Sequence, residues 1–336
     1  MRRRSKLLII LILTIAISQL AILALLFYFN YSFAVSKIDL GVTFSPDQAR
    51  YFGLDPKKVL TESLDDLKIK NYRLSAYWNV IEKKKGKYNF NELDWQLDEV
   101  AKRDGNVILA IGRRLPRWPE CHDPAWVKDM KTKDTQDKIL SLLQAVVTRY
   151  KNHKEIKAWQ VENEAFLSIF GECPLADTEF FKKEVALVRS LDSRPIVITE
   201  SGELSAWTPA ARLGDMVGVS IYRTTWNKYF GIFYYPLTPA YYKFHMKTIE
   251  PFVKKVFVSE LQAEPWEKDG NPLPQMPIAE QKSMMNEKKL SESINFSKKA
   301  GFDEVYLWGV EWWAWLKERG DLGMWDTVKN IVLENN

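Results

Sequence analysis

Eight short apolar segments, each followed by a helical pattern or a helical turn, run from residue 38 to the end of this chain. They are Ile38–Phe44, Tyr72–Ser75, Val107–Ile111, Ile156–Val161, Pro195–Thr199, Met216–Ile221, Val256–Val258 and Val305–Trp308. Between them, Pro56–Ile69 sets Val59, Leu60, Leu64 and Leu67 on one stripe, and a helix capped by Asn91 and running through Ala101 does the same with Leu93, Leu97 and Val100. Helices are also expected over Thr135–Tyr150, Thr178–Leu191, Pro239–Phe252, Ile278–Ala300 and Thr327–Leu333. Strands that alternate with helices run parallel, because each helix returns the chain to the same edge of the sheet. Eight such units over about 300 residues predict an α/β fold of the (β/α)8 TIM-barrel class. No Gly-rich turn follows the first strand, which disfavours a dinucleotide-binding sheet.

The region before the barrel is of another kind. Leu7–Phe29 carries no charged residue. As a helix it would be roughly 34 Å long, against a bilayer core of about 30 Å. Arg2, Arg3, Arg4 and Lys6 precede it and place the amino terminus on the cytoplasmic side. The expected organisation is a basic tip and one N-terminal transmembrane helix over residues 1–30, a tether over 31–37, and an extracytoplasmic barrel over 38–336. A cleaved signal peptide is the rival reading, but such peptides have apolar cores of about 7–15 residues, and Phe33-Ala34-Val35 is a poor cleavage site. The basic tip also accounts for most of the net charge of +5. The remainder is close to neutral, so no nucleic acid partner is expected. Cys121 and Cys173 are the only cysteines, in the loops after the third and fourth strands. They can pair on one face of a barrel, or remain two partly buried thiols. His122, His153 and His245 are scattered, so neither a metal site nor a cofactor is expected.

In a parallel barrel the chemistry sits at the carboxyl ends of the strands. Arg73 and then Trp78 stand after the second strand; Arg113 and Arg114, then Trp118, after the third; Asn163 and Glu164 after the fourth. Glu200 follows the fifth, Tyr222 and Arg223 the sixth, Glu260 the seventh, and Trp308, Glu311 and Trp312 the eighth. Strands four and seven face each other across a barrel, so Glu164 and Glu260 share one cavity. Hydrolysis of a glycoside needs such a pair: one carboxyl protonates the leaving oxygen, the other attacks or activates water.

Asn163-Glu164 and Glu260 at these strand ends resemble clan A of the retaining glycoside hydrolases, over about residues 38–333. The stretch Trp78…Gly86-Lys87-Tyr88-Asn89-Phe90…Leu93-Asp94 is similar to a segment of family 42 β-galactosidases and their relatives in families 5 and 39. That resemblance implies Glu164 as general acid/base and Glu260 as nucleophile. It implies Asn163 on the sugar 2-hydroxyl, Arg73 as the cation beside Glu260, Tyr222 donating to Glu260, and Trp308 as the floor on which the sugar stacks. Arg113-Arg114 stands near the end of the third strand, where the clan often has His, and no trimerisation domain is expected after the barrel. Trp78, Arg113 and Glu200 are further substrate-binding candidates, and Trp118, Trp226, Trp266, Trp312 and Trp313 could wall subsites. Trp95, Trp159 and Trp325 read as packing. Glu264 competes with Glu260 but lies further into its loop, where a side chain is held less rigidly. The expected partner is an oligo- or polysaccharide. A catalytically silent glycan-binding barrel and a transglycosylase using the same residues are the alternatives.

Overall fold

The computed structural model describes residues 2–31, 34–167, 169–227, 229, 231–268 and 270–335. Its strands are β1 (Asp39–Thr43), β2 (Asn71–Ser75), β3 (Asn106–Ile111), β4 (Ile156–Val161), β5 (Ile196–Ser201), β6 (Met216–Ile221), β7 (Thr224–Asn227), β8 (Gly231–Tyr234), β9 (Lys255–Gln262) and β10 (Glu304–Trp308). Eight close into a barrel in the order β1-β10-β9-β6-β5-β4-β3-β2, every neighbouring pair parallel. β7 and β8 form an antiparallel hairpin outside it.

Side chains of alternate residues point to opposite faces of a strand, which builds two distinct interiors. Tyr72, Leu74, Leu109, Trp159, Ile196 and Leu307 belong to the large core that joins the sheet to the surrounding helices. Ile108, Ala158, Val197, Phe257 and Tyr306 form a separate small cluster, the apolar plug of the barrel. Gly41 makes room for it: a Cβ there would come within 2.7 Å of the Tyr306 ring. Two residues beyond Ala158 and Val197 stand Gln160 and Thr199, and on their own strands Arg73 and Ser220, all buried. The inward-facing positions thus change from apolar to polar within one repeat of the strand. The site begins at that step.

Several elements differ from expectation. The helix Asn91–Ala101 is not capped by Asn91: Phe90 holds the cap position without a side-chain cap, and the Asn89 side chain accepts from the Asn91 amide. The single helix expected over 278–300 is two, Ile278–Met284 and Glu287–Ala300, because Asn286 turns out of the helix and caps the second. Helix Val310–Glu318, directly after β10, was not expected. Trp312, Trp313 and Trp315 are buried on it, so its sequence has no polar face to reveal a period. The seventh barrel strand, β9, continues past Glu260 to Gln262, so Glu260 is part of the sheet rather than of a loop.

The first helix runs Arg2–Tyr31, and its described side chains from Ile9 to Leu25 are exposed. Among the described residues no helix is long and apolar enough to cross a membrane. The anchor expected over 7–29 extends at both ends into side chains outside the described residues, as do the Arg2, Arg3, Arg4 and Lys6 side chains and part of the 31–37 tether.

Cys121 and Cys173 are bonded, with their Cα atoms 5.3 Å apart. The bond ties the loop after β3 to the loop after β4, at the mouth of the barrel. Peptide mapping without reduction is expected to recover the two cysteines in one cross-linked product. Cys121→Ser with Cys173→Ser should lower the unfolding free energy by about 2–4 kcal/mol while leaving the far-UV spectrum of the barrel in place.

Candidate active site

The centre of the site is Arg73, fully buried on β2. Its guanidinium donates through Nε to Gln160 Oε1 at 2.6 Å and through Nη2 to Asn163 Oδ1 at 2.7 Å, and through Nη1 to the Glu260 carboxylate. One planar cation thereby sets the relative positions of β2, β4 and β9. Tyr222, just past β6, donates its hydroxyl to the other Glu260 oxygen at 2.9 Å. Glu260 therefore stands between a cation and a phenol, with one oxygen on each.

Glu164 lies across from it. Ser220 on β6 donates to its carboxyl at 2.5 Å, and its own amide donates to Thr199 Oγ1 at 3.0 Å. Burial pushes the Glu164 carboxyl up to about 7, and the charge of Glu260 adds to the effect, against smaller opposing contributions from Ser220, Arg114 and Arg73. The two carboxyls thus share a water-poor pocket and repel. One side chain is poised to hold a proton near neutrality while the other is surrounded by donors.

The backbone that presents Glu164 is bent to do so. Of six non-glycine residues at positive φ among the described residues, Arg117, Glu120, Glu162 and Glu164 lie in the loops after β3 and β4. Side chains other than glycine avoid that region, at about 1–3 kcal/mol each. Part of the compensation comes from Glu162, whose carboxylate accepts the Arg113 and Arg114 amides at 2.7 and 2.6 Å. Gly112 permits this approach: a Cβ there would sit 2.1 Å from a Glu162 oxygen. Burial raises the Glu162 carboxyl, and Glu184 from the helix Thr178–Leu191, hydrogen-bonded to it, is pushed up further.

The sequence-derived site residues divide into two groups. Arg73, Asn163, Glu164, Tyr222 and Glu260 converge on one pocket. Glu200 is fully buried on β5 close enough to feel the Glu164 charge, and burial raises it to about 8. Trp308 is at the mouth, but the Arg117 guanidinium lies over its ring, 4.0 Å from the centroid, so that face is not open to a sugar. The remaining residues lie elsewhere. Trp78 is fully buried with its indole donating to Glu82 at 2.7 Å, because it starts a short helix that folds under the loop. Arg113 turns outward to Asp123. Trp312 and Trp313 are core. Glu264, the rival to Glu260, is held by Arg117, which also donates to Glu311 at 2.9 Å.

Sequence reasoning missed Glu120, Arg117, Gln160, Thr199 and Ser220. The last three carried a signal: they are polar residues at inward positions of strands otherwise apolar. Glu120 and Arg117 carried none, since they come from a long loop whose path only the tertiary structure defines. Among the described residues no group of His, Cys, Asp and Glu could hold a metal ion.

A family model for glycosyl hydrolase family 10 matches residues 40–172. The barrel is similar to the cold-adapted β-galactosidase of Rahnella sp. R3, at 13% identity and a TM-score of 0.57, covering 82% of this chain and 50% of that one. It is similar to a family 10 endo-β-1,4-xylanase of Gloeophyllum trabeum, at 17% identity and 0.53, covering 82% and 84%. It is also similar to a GH5_18 enzyme of Bifidobacterium longum solved with Manβ1-4GlcNAc, at 12% identity and 0.61, covering 88% and 78%. This chain spans about half the length of the β-galactosidases from Rahnella and Halorubrum lacusprofundi. No curated protein sequence matches it. The family match and the eight-stranded barrel together support a clan A glycoside hydrolase, the group its strand-end residues resemble.

Several buried carboxyls here titrate late. Glu164 and Glu311 are raised to about 7, and Glu120, Glu200 and Glu203 to about 8, in each case first by burial, from 4.5. Between those limits the folded barrel binds more protons than the unfolded chain. Their contribution to stability is therefore complete below about 4.5 and is lost as pH rises through 7–8. The thermal midpoint is expected to fall between pH 5 and pH 8, and Glu200→Gln should flatten that slope.

Proposed function

We propose that this barrel, of the clan A glycoside hydrolase kind, cleaves β-linked O-glycosidic bonds with retention, Glu164 acting as acid/base and Glu260 as nucleophile. The observation that carries the reading is the shared pocket. The Glu164 carboxyl is pushed up to about 7, in part by Glu260, while Glu260 accepts from Arg73 and Tyr222. In the first step Glu164 gives its proton to the glycosidic oxygen and Glu260 attacks the anomeric carbon. The bond to the leaving sugar breaks, and a glycosyl ester forms on Glu260. Glu164, now a carboxylate, takes a proton from water, which attacks the same carbon and releases Glu260 as the free carboxylate. Arg73 holds Glu260 and Asn163 in one frame throughout, and Asn163 is placed to bind the sugar beside the acid.

The substrate class is an oligo- or polysaccharide. A transglycosylase would use the same steps with a sugar hydroxyl in place of water. A silent glycan-binding barrel is disfavoured, because binding alone gives no reason to bury two repelling carboxyls.

We further infer a single-pass anchor, with the amino terminus in the cytoplasm and the barrel outside. Support comes from the uncharged stretch Leu7–Phe29, the exposed apolar side chains from Ile9 to Leu25, and a disulfide of the sort that persists in oxidising compartments. Full-length protein should stay with membranes after an alkaline wash, and protein lacking residues 1–37 should not.

A series of 2-fluoro-glycosides should trap a covalent adduct on the peptide carrying Glu260, and label on Glu264 or Glu200 would refute the assignment. Glu260→Ala should abolish turnover. Glu164→Gln should slow substrates with poor leaving groups by about 10²–10⁴. In the native enzyme kcat/KM should fall above about pH 7 as Glu164 loses its proton.

A further inference from the structure

A third carboxyl, unused by the mechanism above, touches its machinery. Glu120 sits in the loop after β3, almost fully buried. Its Oε2 accepts from Asn163 Nδ2 at 2.9 Å and lies 3.5 Å from Arg114 Nε. Asn163 Oδ1 is already committed to Arg73 at 2.7 Å and Thr199 at 3.1 Å. The amide of Asn163 is thus defined from both ends, oxygen toward Arg73 and nitrogen toward Glu120. A hydrogen-bonded path runs from Glu120 through Asn163 and Arg73 to Glu260, with Arg114 beside its outer end as an ion pair.

The loop is built to hold Glu120 there. Its φ is +72°, and its amide donates to the Arg117 carbonyl at 2.8 Å. Gly171, from the loop after β4, packs directly on it: a Cβ there would lie 2.8 Å from Glu120 Cβ, at a φ of +84° that already disfavours a side chain. The Cys121–Cys173 bond closes the same two loops beside it. Arg114 gives Glu120 limited charge compensation, since its Nη1 and Nη2 are taken by the carbonyls of Leu167 and Phe170.

We propose that Glu120 is a positioning residue for the reaction inferred above: it fixes the orientation of the Asn163 amide beside the acid. The inference rests on the glycosidase reading for its catalytic meaning, but the contact it asserts is a property of the barrel alone. The ionisable and polar groups facing Glu120 are Arg114 from its own loop, Asn163 and Glu164 after β4, and Glu260 on β9. Glu164 in turn faces Arg73 on β2, Arg114, Ser220 and Tyr222 from the β6 side, Glu200 on β5 and Glu203 after it. Burial, and next the Glu164 charge, push Glu120 up to about 8, above Glu164 at about 7, so Glu120 still holds its proton where Glu164 titrates. In that neutral form Glu120 places no charge against the acid, and what it supplies is the oxygen that holds the Asn163 amide.

The test uses the full chain with Glu120→Gln and Glu120→Ala. Gln keeps an acceptor for Asn163; Ala deletes it. On a hydrolysed aryl-glycoside, Glu120→Gln is expected to stay within a few-fold of native kcat, with its alkaline limb unmoved. Glu120→Ala should lose roughly ten-fold or more in kcat at every pH. Independently of turnover, 15N NMR of asparagine-labelled protein, with Asn163→Ala identifying the resonance, should show the Asn163 side-chain amide signal kept in Glu120→Gln and displaced in Glu120→Ala. A native Asn163 signal with native kcat in Glu120→Ala would overturn the proposal. So would equal losses in Gln and Ala, which a purely structural residue would give. If no glycoside is turned over and no 2-fluoro label is taken up, the glycosidase reading fails, and the Asn163 signal still decides the role of Glu120.

Discussion

The site depends on one buried cation. Arg73 spends its donors on three acceptors, Gln160, Asn163 and Glu260, drawn from β4 and its end and from β9. A guanidinium without solvent is tolerable only when its donors are paired and its charge is answered. Glu260 answers it, and that fixes which carboxylate faces the pocket. Glu264, four residues further along the chain, is answered by a different arginine, Arg117. Two separate arginine–glutamate pairs thus sort two nearby acids into different environments.

Glu164 is held in the opposite way. Glu164 has no direct cation among its hydrogen bonds, only the Ser220 hydroxyl. Burial and the neighbouring Glu260 both favour its protonated form. What each carboxyl touches differs: Glu164 meets one hydroxyl in a buried setting, and Glu260 a guanidinium and a phenol. The backbone bends at Glu162 and Glu164 serve this arrangement. They aim Glu164 into the cavity, and the Glu162 carboxylate holds the β3 loop against them.

The loops after β3 and β4 then form one unit. Cys121–Cys173, the Arg114 contacts to Leu167 and Phe170 carbonyls, and the packing of Gly171 on Glu120 all join them. Glu164 is presented from this unit, and Glu260 from the rigid sheet.

The repeated apolar segments of the sequence were enough to specify an eight-stranded parallel barrel, since a buried parallel strand leaves a run of apolar residues whatever its neighbours are. Strands β4 and β6 and the helix Thr178–Leu191 were legible to the residue. Asn163, Glu164 and Glu260 were legible because strand ends in such a barrel face one cavity. The partners that give them their chemistry were less so. Trp78, Trp312 and Trp313 look like stacking residues in one dimension and are core in three, because exposure is set by neighbouring helices that the chain order does not reveal. Glu120 and Arg117 lie in a loop with no period, and their contacts span more than forty residues of chain. What the sequence determined by itself was the barrel and the place of its two acids, through local pattern and strand polarity. What only the tertiary structure decided was which charges answer which, because electrostatic partners are chosen by distance in a low-dielectric interior and not by separation along the chain.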